Sequence, residues 1–234
     1  MNATVIIAAR MDSSRLPGKA MMTLSGLPMI VFLIRRLKTS KMAKRIVLAT
    51  TERQEDDILA LKAKDEGIDV YRGSEHDVMD RYVGAVNRFG GEYVVRVTAD
   101  CPFVDGQILD YCLDKVEDNT PFDLATTKGL FPQGIDFEIY NSAAMAEVFM
   151  HGCPSVEDRE HLTLFMYRHE DSFRIVQIDP PEGLERNGLT FTVDTLEDYE
   201  FAATLMNDVE NNLITVRNLI QKAKYGSQIL ETIC

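Results

Sequence analysis

The chain has 234 residues, enough for one α/β domain with a substantial core, and 25 Lys and Arg residues against 37 Asp and Glu residues give a net charge of −12. This acidic balance argues against nucleic acid as a partner, and the lack of a basic N-terminal segment or an apolar run of about 18 residues argues against a signal peptide and a membrane span. No cysteine pair has C-x-x-C spacing, so we expect no zinc site or disulfide scaffold but reduced thiols in a soluble cytoplasmic protein: Cys101, Cys112, Cys153 and Cys234.

The first predicted strand begins near Val5 and ends in a loop that holds three cations. Its apolar, β-branched run is typical of a strand buried on both faces. Arg10, Arg15 and Lys19 then fall within one short turn system, which the proline and glycine at 17–18 help to bend. Crowded cations repel one another unless an anion lies among them, and a triphosphate supplies that charge. We therefore interpret the loop as a nucleotide-phosphate site, with solvated surface cations as the alternative.

The loop also carries a recognisable pattern. The sequence A-A-R-x-D-S-S-R-L-P-G-K at 8–19 resembles the signature of the cytidylyltransferases that activate acidic sugars, such as the CMP-Kdo synthetases. Residues 24–30 resemble the G-x-P-M-I helix start of the same family. The loop is neither a Walker loop nor a Rossmann fingerprint, because neither glycine pattern occurs. The resemblance implies that the three cations act in catalysis and that CTP contacts Ala8, Ala9, Arg10, Ser13, Arg15 and Lys19.

Strands and helices alternate after the loop. A helix is predicted to begin at Pro28, followed by a strand over 45–50, a helix over about 55–66 and a strand over 69–71. This alternation predicts a parallel, doubly wound sheet, in which ligands bind beyond the carboxyl ends of the strands.

The segment 72–82 leaves that strand and starts the next helix. Ser74 and Asp77 are both suitable N-caps, and capping explains them without any ligand. Capping does not explain Arg72 or Arg81. The segment resembles the R-G-S-E-x-D-V-L-D-R stretch of the spore-coat polysaccharide (SpsF-like) branch of the family, which in related enzymes lies against base and ribose. The resemblance therefore implies nucleotide contacts at Arg72, Ser74 and Asp77.

The strongest strand signal, over 93–97, delivers an aspartate to the predicted ligand crevice. Thr98 and Asp100 resemble the (Q/T)-x-D-x-P motif of the family, which implies that Thr98 contacts the nucleotide and that Asp100 binds Mg²⁺. The alternative is that Asp100 only starts a turn. Asp105 has a different expected role, as the N-cap of a helix that begins near Gly106.

A second aspartate, Asp194, follows a strand predicted over 189–193. Thr195 and Asp198 can form a capping box for the next helix, so the cap does not need Asp194. The segment resembles the V-D-T-x-E-D stretch of the family, whose first aspartate is a metal ligand. Hard oxygen ligands are what Mg²⁺ requires when it is shared with phosphates. The resemblance thus implies an Mg²⁺ ion held by Asp100 and Asp194.

Between about 119 and 181 the alternation weakens, and we expect an inserted β-rich lobe. Two strands are predicted, over 122–127 and 135–140. Asp136 and Glu138 share one face of the second strand by the period of two, and the alternative is that this face is only its wet side. The P-x-G-x-D-x-E pattern resembles the SpsF-like branch, which implies that both carboxylates contact the sugar.

A capped helix is predicted to begin at Ser155. Its Arg159 and His161 lie in an R-E-H pattern that resembles the R-E-H-V-T of the same branch, which implies sugar contacts for both. A structural role for the histidine is the alternative. Two further helices are predicted, over 196–207 and 216–223.

Large apolar side chains are dense in the predicted lobe. A small lobe could hardly bury them alone, so we expect a two-fold homodimer formed through it, as in related enzymes. The residues in question are Phe122, Phe131, Phe137, Tyr140, Phe149, Phe165, Met166, Tyr167 and Phe173.

The resemblance spans nearly the whole chain and implies a GT-A-like, Rossmann-like α/β fold. This is a three-layer sandwich with a mixed, mainly parallel sheet, in a single nucleotidyltransferase domain over 1–234 that carries the lobe over about 119–181. The implied reaction is CTP plus an acidic sugar giving a CMP-sugar and pyrophosphate, with Mg²⁺ as cofactor, for the synthesis of surface polysaccharide or other glycans.

Three alternatives to this reaction stay open. A phosphate or phosphonate monoester as acceptor would ask for extra cations in the lobe, with Lys128, Arg159 and Arg186 available. A glycosyltransferase of the same fold would need a D-x-D motif, and the second aspartate is missing after Asp100. A non-catalytic nucleotide-binding paralogue should have lost a loop cation or a metal aspartate, and all are present.

Overall fold

The structure, a computed structural model, describes residues 1–152, 154–207, 209 and 214–233. Strands and helices alternate through the first half of these residues, as predicted. The strands are β1 (Ala3–Ala8), β2 (Thr23–Leu24), β3 (Leu27–Pro28), β4 (Arg45–Thr51), β5 (Asp69–Gly73), β6 (Tyr93–Thr98), β7 (Leu124–Thr126), β8 (Glu138–Asn141) and β9 (Ile175–Gln177). The helices are α1 (Met29–Leu37), α2 (Asp57–Asp65), α3 (Val78–Phe89), α4 (Gly106–Glu117), α5 (Ser142–His151), α6 (Val156–His161), α7 (Leu164–Arg168), α8 (Leu196–Met206) and α9 (Val216–Ile233).

Seven of these strands form one sheet in the order β5-β4-β1-β6-β8-β7-β9. Strands β5, β4, β1 and β6 run parallel, β8 is antiparallel to both β6 and β7, and β9 is parallel to β7. Strands β2 and β3 form a separate antiparallel hairpin. The predicted mixed, mainly parallel sheet is confirmed.

The sheet has an apolar core on each face, which makes the molecule a three-layer sandwich. Strand β1 shows why, because its side chains alternate: Val5 and Ile7 belong to one core and Ile6 to the other. Helices α1, α2, α4, α8 and α9 contribute to the first core. Helices α3, α5 and α7 contribute to the second, where the rings of Tyr82 and Tyr140 lie 6.5 Å apart.

The segment 119–181 does not form a separate β-rich lobe. Its strands β7, β8 and β9 extend the main sheet, and three helices, α5 to α7, interrupt them. The strand predicted over 135–140 begins only at Glu138, and Asp136 lies in the preceding loop. The prediction that Asp136 and Glu138 share one strand face is therefore wrong. The face of Glu138 is not wet either, because this residue is buried.

The strand predicted over 189–193 is also wrong. The segment forms only an isolated bridge between Gln133 and Thr190, although the N–H of Phe191 donates to the carbonyl oxygen of Gln133 at 2.7 Å. The segment is therefore extended and attached to the 128–136 loop rather than paired into the sheet. Asp194 follows an extended segment, not a strand end.

The apolar residues expected at a dimer interface are mostly covered within the chain. Five of them are buried and the other four are half-buried, so the premise that the lobe cannot cover them is wrong. The buried five are Phe122, Phe131, Phe137, Tyr140 and Met166.

Local capping predictions are confirmed. Asp77 accepts from the N–H of Asp80 and Asp105 from that of Ile108, whereas Ser74 makes no cap. Helices α6 and α8 begin with the predicted capping boxes, Ser155 with Asp158 and Thr195 with Asp198. Because these signals lie within three residues of each helix start, the sequence alone reveals them.

Cys101 and Cys112 are free thiols, while the predictions for Cys153 and Cys234 concern positions outside the described residues. No helix among the described residues combines the length and the apolar character that a membrane span needs.

Gly134 offers a test of how the 128–136 loop positions the 189–194 segment. Gly134 and Gly129 have φ of +83° and +82°, but a Cβ at Gly134 would fall on the backbone of Phe191 and Thr192, whereas nothing lies within 4 Å of one at Gly129. Ala at either position should lose about 1 kcal/mol of unfolding free energy to backbone strain. Gly134→Ala should lose about 2 kcal/mol more because of the clash. Urea unfolding of the two variants measures the difference, and equal losses would contradict the tight contact.

Candidate active site

A cavity of about 350 Å³ lies where β1 and β6 end. Ala8 and Thr98, the last residues of these two strands, are paired neighbours in the parallel ladder. Such a position, beyond the carboxyl ends of parallel strands, is where this class of sheet binds ligands. The lining residues are Ala8, Ala9, Arg10, Asp12, Ser13, Ser14, Arg15, Lys19, Ala20, Val78, Arg81, Arg96, Thr98, Ala99, Asp100, Glu160, His161 and Asp194.

The loop over 9–19 forms one wall and is tied down at two points. The N–H of Met11 donates to Oδ1 of Asp56 at 2.7 Å, and the N–H of Gly18 donates to the carbonyl oxygen of Met11 at 2.9 Å. Asp56 is buried and also accepts a hydrogen bond from the hydroxyl of Thr51. Gly18 has φ of 75°, a left-handed conformation that favours glycine. The loop is therefore closed into a fixed turn by its own backbone and one buried carboxylate.

The loop lysine lies between the two aspartates singled out in the sequence. Nζ of Lys19 is 2.8 Å from Oδ1 of Asp194, 3.3 Å from Oδ2 of Asp100 and 2.9 Å from the carbonyl oxygen of Val193. Nη2 of Arg15 lies 2.9 Å from the second carboxylate oxygen of Asp194. Three segments distant in sequence thus converge on one cation.

Backbone hydrogen bonds explain how Asp194 reaches Asp100. The N–H of Val193 donates to the carbonyl oxygen of Asp100 at 2.8 Å. The carboxylate of Asp198 accepts from the N–H groups of Asp194 and Thr195, at 3.0 and 2.9 Å, and so fixes the turn into α8.

The donor set fits a magnesium ion that is shared with phosphates. Oxygens of Asp100 and Asp194 converge within hydrogen-bond distance of one ammonium group, so both can reach a single small cation. No group of three or more His, Cys, Asp or Glu side chains suited to a metal occurs in the described ranges. Because Mg²⁺ is usually held by one or two carboxylates plus substrate phosphates and water, two aspartates are sufficient.

A second ionic group lies behind the cavity, centred on Glu138. Register places Glu138 opposite Arg96 across the β6–β8 pair, and Oε2 of Glu138 accepts from Nη1 of Arg96 at 2.8 Å with Nζ of Lys128 at 3.1 Å. Oε1 accepts from the hydroxyls of Thr163 and Tyr167, both at 2.9 Å. Burial raises the pKa of Glu138, but the charges of Arg96 and Lys128 outweigh it, so the pKa lies below its ordinary value.

Ten of the residues predicted for the site line the cavity. The structure brings together the nucleotide-loop residues, Thr98, both aspartates and one residue from the middle of the chain. They are Ala8, Ala9, Arg10, Ser13, Arg15, Lys19, Thr98, Asp100, His161 and Asp194.

Predicted nucleotide contacts over 72–77 lie outside the cavity. Arg72 donates to the carbonyl oxygens of Thr51 and Arg53, at 2.8 and 2.7 Å, and pairs with Asp57. It therefore fastens the end of β4 to the start of α2.

Ser74 and Asp77 have roles in the backbone around α3. The carbonyl oxygen of Ser74 accepts a hydrogen bond from the buried Arg81, and Asp77 caps α3.

Predicted sugar contacts are also divided between the cavity and its surroundings. Arg159 pairs with Asp77 at 2.6 Å and stacks on Phe149, 5.1 Å from its ring centroid. Oδ1 of Asp136 accepts from the N–H of Gly134 at 2.8 Å, and burial raises the pKa of Asp136. Glu138 has four donors and is 1% exposed, so it has no free capacity toward a ligand.

Four charged residues at the cavity were not among the predicted site residues: Asp12, Arg81, Arg96 and Glu160. Capping leaves Arg81 unexplained in the sequence, and the resemblance implies nucleoside contact for the 72–82 segment that contains it. Its side chain is buried and donates to the carbonyl oxygens of Ser74 and Glu75, and burial lowers its pKa. Glu160 lies 3.8 Å from Arg10. For Arg96 the available signal was a charged residue within the strand over 93–97.

A larger cavity, of about 750 Å³, lies beside the last turn of α1 and is lined by Arg35, Asp110 and Thr215 among others. None of the predicted site residues lines it. We assign the chemistry to the smaller cavity, because only there do the loop cations and both aspartates meet.

The chain is similar to cytidylyltransferases throughout its length. A family model described as "Cytidylyltransferase" matches residues 4–231. The spore coat polysaccharide biosynthesis protein SpsF of Bacillus subtilis is 32% identical over 203 residues, which cover 83% of this chain and 82% of that protein.

Solved structures agree. A cytidylyltransferase from Leptospira borgpetersenii superposes with a TM-score of 0.91 at 29% identity and covers 98% of this chain and 96% of its own. A CMP:2-keto-3-deoxy-manno-octonic acid synthetase solved with CTP gives a TM-score of 0.66 at 16% identity, over 88% of this chain and 99% of its own. At that identity the second likeness concerns the fold alone.

Glu138 gives a pH-dependent prediction. Its pKa is lower in the folded state, so its ionisation stabilises the fold above the ordinary glutamate pKa of about 4.3, and that contribution is lost as pH falls through the folded-state value. Glu138→Gln should lower the unfolding free energy at pH 7 by on the order of 3 kcal/mol, because Arg96 stays buried without its counter-charge. Urea unfolding of both proteins from pH 7 to pH 3 should show this gap narrowing below about pH 4.3, the ordinary glutamate pKa. A gap independent of pH would contradict the ion pair.

Proposed function

The chain belongs to the cytidylyltransferase family, which makes it a CTP-dependent nucleotidyltransferase, and we propose that it transfers CMP from CTP to a hydroxyl of an acidic sugar. The products are a CMP-sugar and pyrophosphate. We further propose that the product serves the synthesis of surface polysaccharide, as the name of the Bacillus subtilis relative suggests for that protein.

One observation carries this proposal, the convergence of Lys19, Asp100 and Asp194 beneath a loop that also bears Arg10 and Arg15. A triphosphate carries several negative charges, and the loop cations supply the matching positive charge. The two carboxylates would hold a magnesium ion, which would neutralise phosphate charge.

The proposed step is an in-line displacement at the α-phosphorus. The acceptor oxygen forms a bond to this phosphorus while the bond to the bridging oxygen of pyrophosphate breaks, and the hydroxyl proton is lost to solvent or a nearby base. Arg10, Arg15 and Lys19 stabilise the charge that builds on pyrophosphate as it leaves. Bound Mg²⁺, held by Asp100 and Asp194, would supply further neutralisation of phosphate charge.

No covalent intermediate on the protein is needed. Cys101 lies beside Asp100 and is the nearest free thiol to the site in the part of the chain that is described. Burial raises the pKa of the Cys101 thiol well above its usual range, so it stays protonated. A protonated, half-buried thiol is a poor nucleophile.

A phosphate or phosphonate monoester is the less favoured acceptor. Lys128 is paired with Glu138 and Arg159 with Asp77, and neither they nor Arg186 line the cavity. The cations that such an acceptor would use are therefore not available in the site.

We also propose that the enzyme is a cytoplasmic homodimer. The free thiols Cys101 and Cys112 support a reducing compartment. The dimer rests on the resemblance to related enzymes alone, since the apolar residues that first suggested it are mostly covered within the chain.

A pyrophosphate-release assay with each of the four common NTPs, Mg²⁺ and a panel of acidic sugars tests the function. We expect release with CTP and one or more acids, and less with UTP, because a site matched to the cytosine edge leaves polar groups unpaired against uracil. Equal calorimetric affinity for CTP and UTP would contradict the base preference. Absence of release with every acid would contradict the acceptor class.

Asp100→Asn and Asp194→Asn test the metal assignment. Each should lower turnover on the order of 100- to 1,000-fold, since a lost ligand removes charge stabilisation from the transition state. The exposed Asp65→Asn, on α2, is the matched control and should keep full turnover. Thermal unfolding shows whether each variant is folded, and near-normal turnover of Asp100→Asn at limiting Mg²⁺ would contradict the assignment.

A further inference from the structure

Arg96 is the one cation of the cavity that comes from the middle of a sheet strand among the described residues. It lies on β6, two residues before Thr98, so both side chains are on the same face of the strand. Its side chain is 16% exposed and lines the cavity that Asp100 and Asp194 also line. The loop cations lie on a different wall, formed by residues 9–19.

The guanidinium of Arg96 is only partly used by the protein. Nη1 donates to Glu138, and this is its one side-chain partner among the described residues. Nε is buried and has no hydrogen-bond partner. A buried donor without a partner costs free energy, so the protein leaves part of the hydrogen-bonding capacity of this guanidinium unsatisfied.

The charges around Arg96 also favour an anionic ligand. Glu138 shares its single negative charge between Arg96 and the 46% exposed Lys128, so it compensates the largely buried guanidinium only in part. Burial alone would lower the pKa of Arg96, but the negative charge of Glu138 has the larger effect and raises it. The guanidinium therefore stays ionised. A forked cation whose charge is only partly compensated matches one carboxylate in both charge and shape.

We propose that Arg96 binds the carboxylate of the acceptor, and that Glu138 is the positioning residue that holds its guanidinium at the cavity wall. This inference rests on the proposed function, and it identifies a carboxylate as the acidic group of the acceptor that the site recognises. Glu138 was expected to contact the sugar itself, and it acts instead through Arg96. The hydroxyls of Thr163 and Tyr167 occupy its other oxygen and so keep its orientation.

A carboxylate fits better than a phosphate monoester. The latter carries close to two charges, and the second cation of the group, Lys128, does not line the cavity. Arg81, the other buried cation at this wall, already donates to two carbonyl oxygens.

The Nε–H resonance of Arg96 provides a test that needs no turnover. Because Nε is buried, its proton should exchange slowly and be visible in ¹H–¹⁵N spectra, where Arg96→Lys identifies it by its absence. With CTP and Mg²⁺ bound, so that the loop is occupied, the protein is titrated with acetate, with the neutral methyl acetate and with methyl phosphate. We expect a saturable shift with acetate and none with methyl acetate.

Variants separate the positioning role from a structural one. Glu138→Gln should weaken the acetate response about tenfold while CTP affinity by calorimetry is unchanged. The matched control for Arg96→Lys is Arg45→Lys. Arg45 lies on β4 and forms a surface ion pair with Asp69 of β5, so this change should leave the acetate response intact. With an acidic sugar that supports release, Arg96→Lys should raise the KM for the acid and leave the KM for CTP unchanged.

Each outcome decides one of the two proposals. No shift with acetate or methyl phosphate would overturn the anion site, and a larger shift with methyl phosphate than with acetate at equal concentration would overturn the carboxylate. An unchanged acetate response in Glu138→Gln would overturn the positioning role. Failure of CTP to bind would contradict the proposed function. It would not contradict the carboxylate site, because the acetate titration can be repeated on the protein without CTP.

Discussion

The contact of Lys19 with Asp100 and Asp194 is the constraint on which the site depends. The three residues come from the start, the middle and the end of the chain, and each is held by backbone contacts of its own. Gly18 and Asp56 fix the loop, β6 carries Asp100, and the carbonyl oxygen of Asp100 receives the N–H of Val193. Two carboxylates this close would repel each other without a cation between them, and the ammonium group of Lys19 supplies that positive charge.

A second constraint comes from the change of direction within the sheet. Strand β8 is antiparallel to β6, and this register sets Glu138 opposite Arg96. A parallel neighbour at the same place would need a crossover connection of a dozen or more residues. The 128–136 loop leads into this antiparallel strand. Its Gln133 forms a bridge with Thr190 and accepts a hydrogen bond from the N–H of Phe191, which attaches the 189–194 segment to the loop. Strand β8 and the loop that precedes it therefore position both Glu138 and the segment that ends at Asp194.

Predictions from the sequence were most accurate where the signal is local. Strand β1, the cation loop, and the caps at Asp77, Asp105, Ser155 and Thr195 depend on a few neighbouring residues, and all were found. The residues that proved harder depend on distant partners. A carboxylate on a short strand reads as exposed or ligand-binding, and only pairing with β6 and β7 reveals that Glu138 is buried among four donors. Arg72 was misleading for the same reason, because its partners Thr51 and Asp57 belong to other elements.

The boundary between β6 and β8 divides the molecule into halves with separate tasks. The cation loop and Asp100 belong to the parallel half, whereas Glu138, Thr163 and Tyr167 belong to the half that follows β6. Glu160, His161 and Asp194 of the second half line the cavity directly, and Glu138 reaches it through Arg96. Because the four donors to Glu138 include neither a cation of the 9–19 loop nor an aspartate, substitutions around this carboxylate can reshape one wall of the cavity while Lys19, Asp100 and Asp194 keep their mutual contacts.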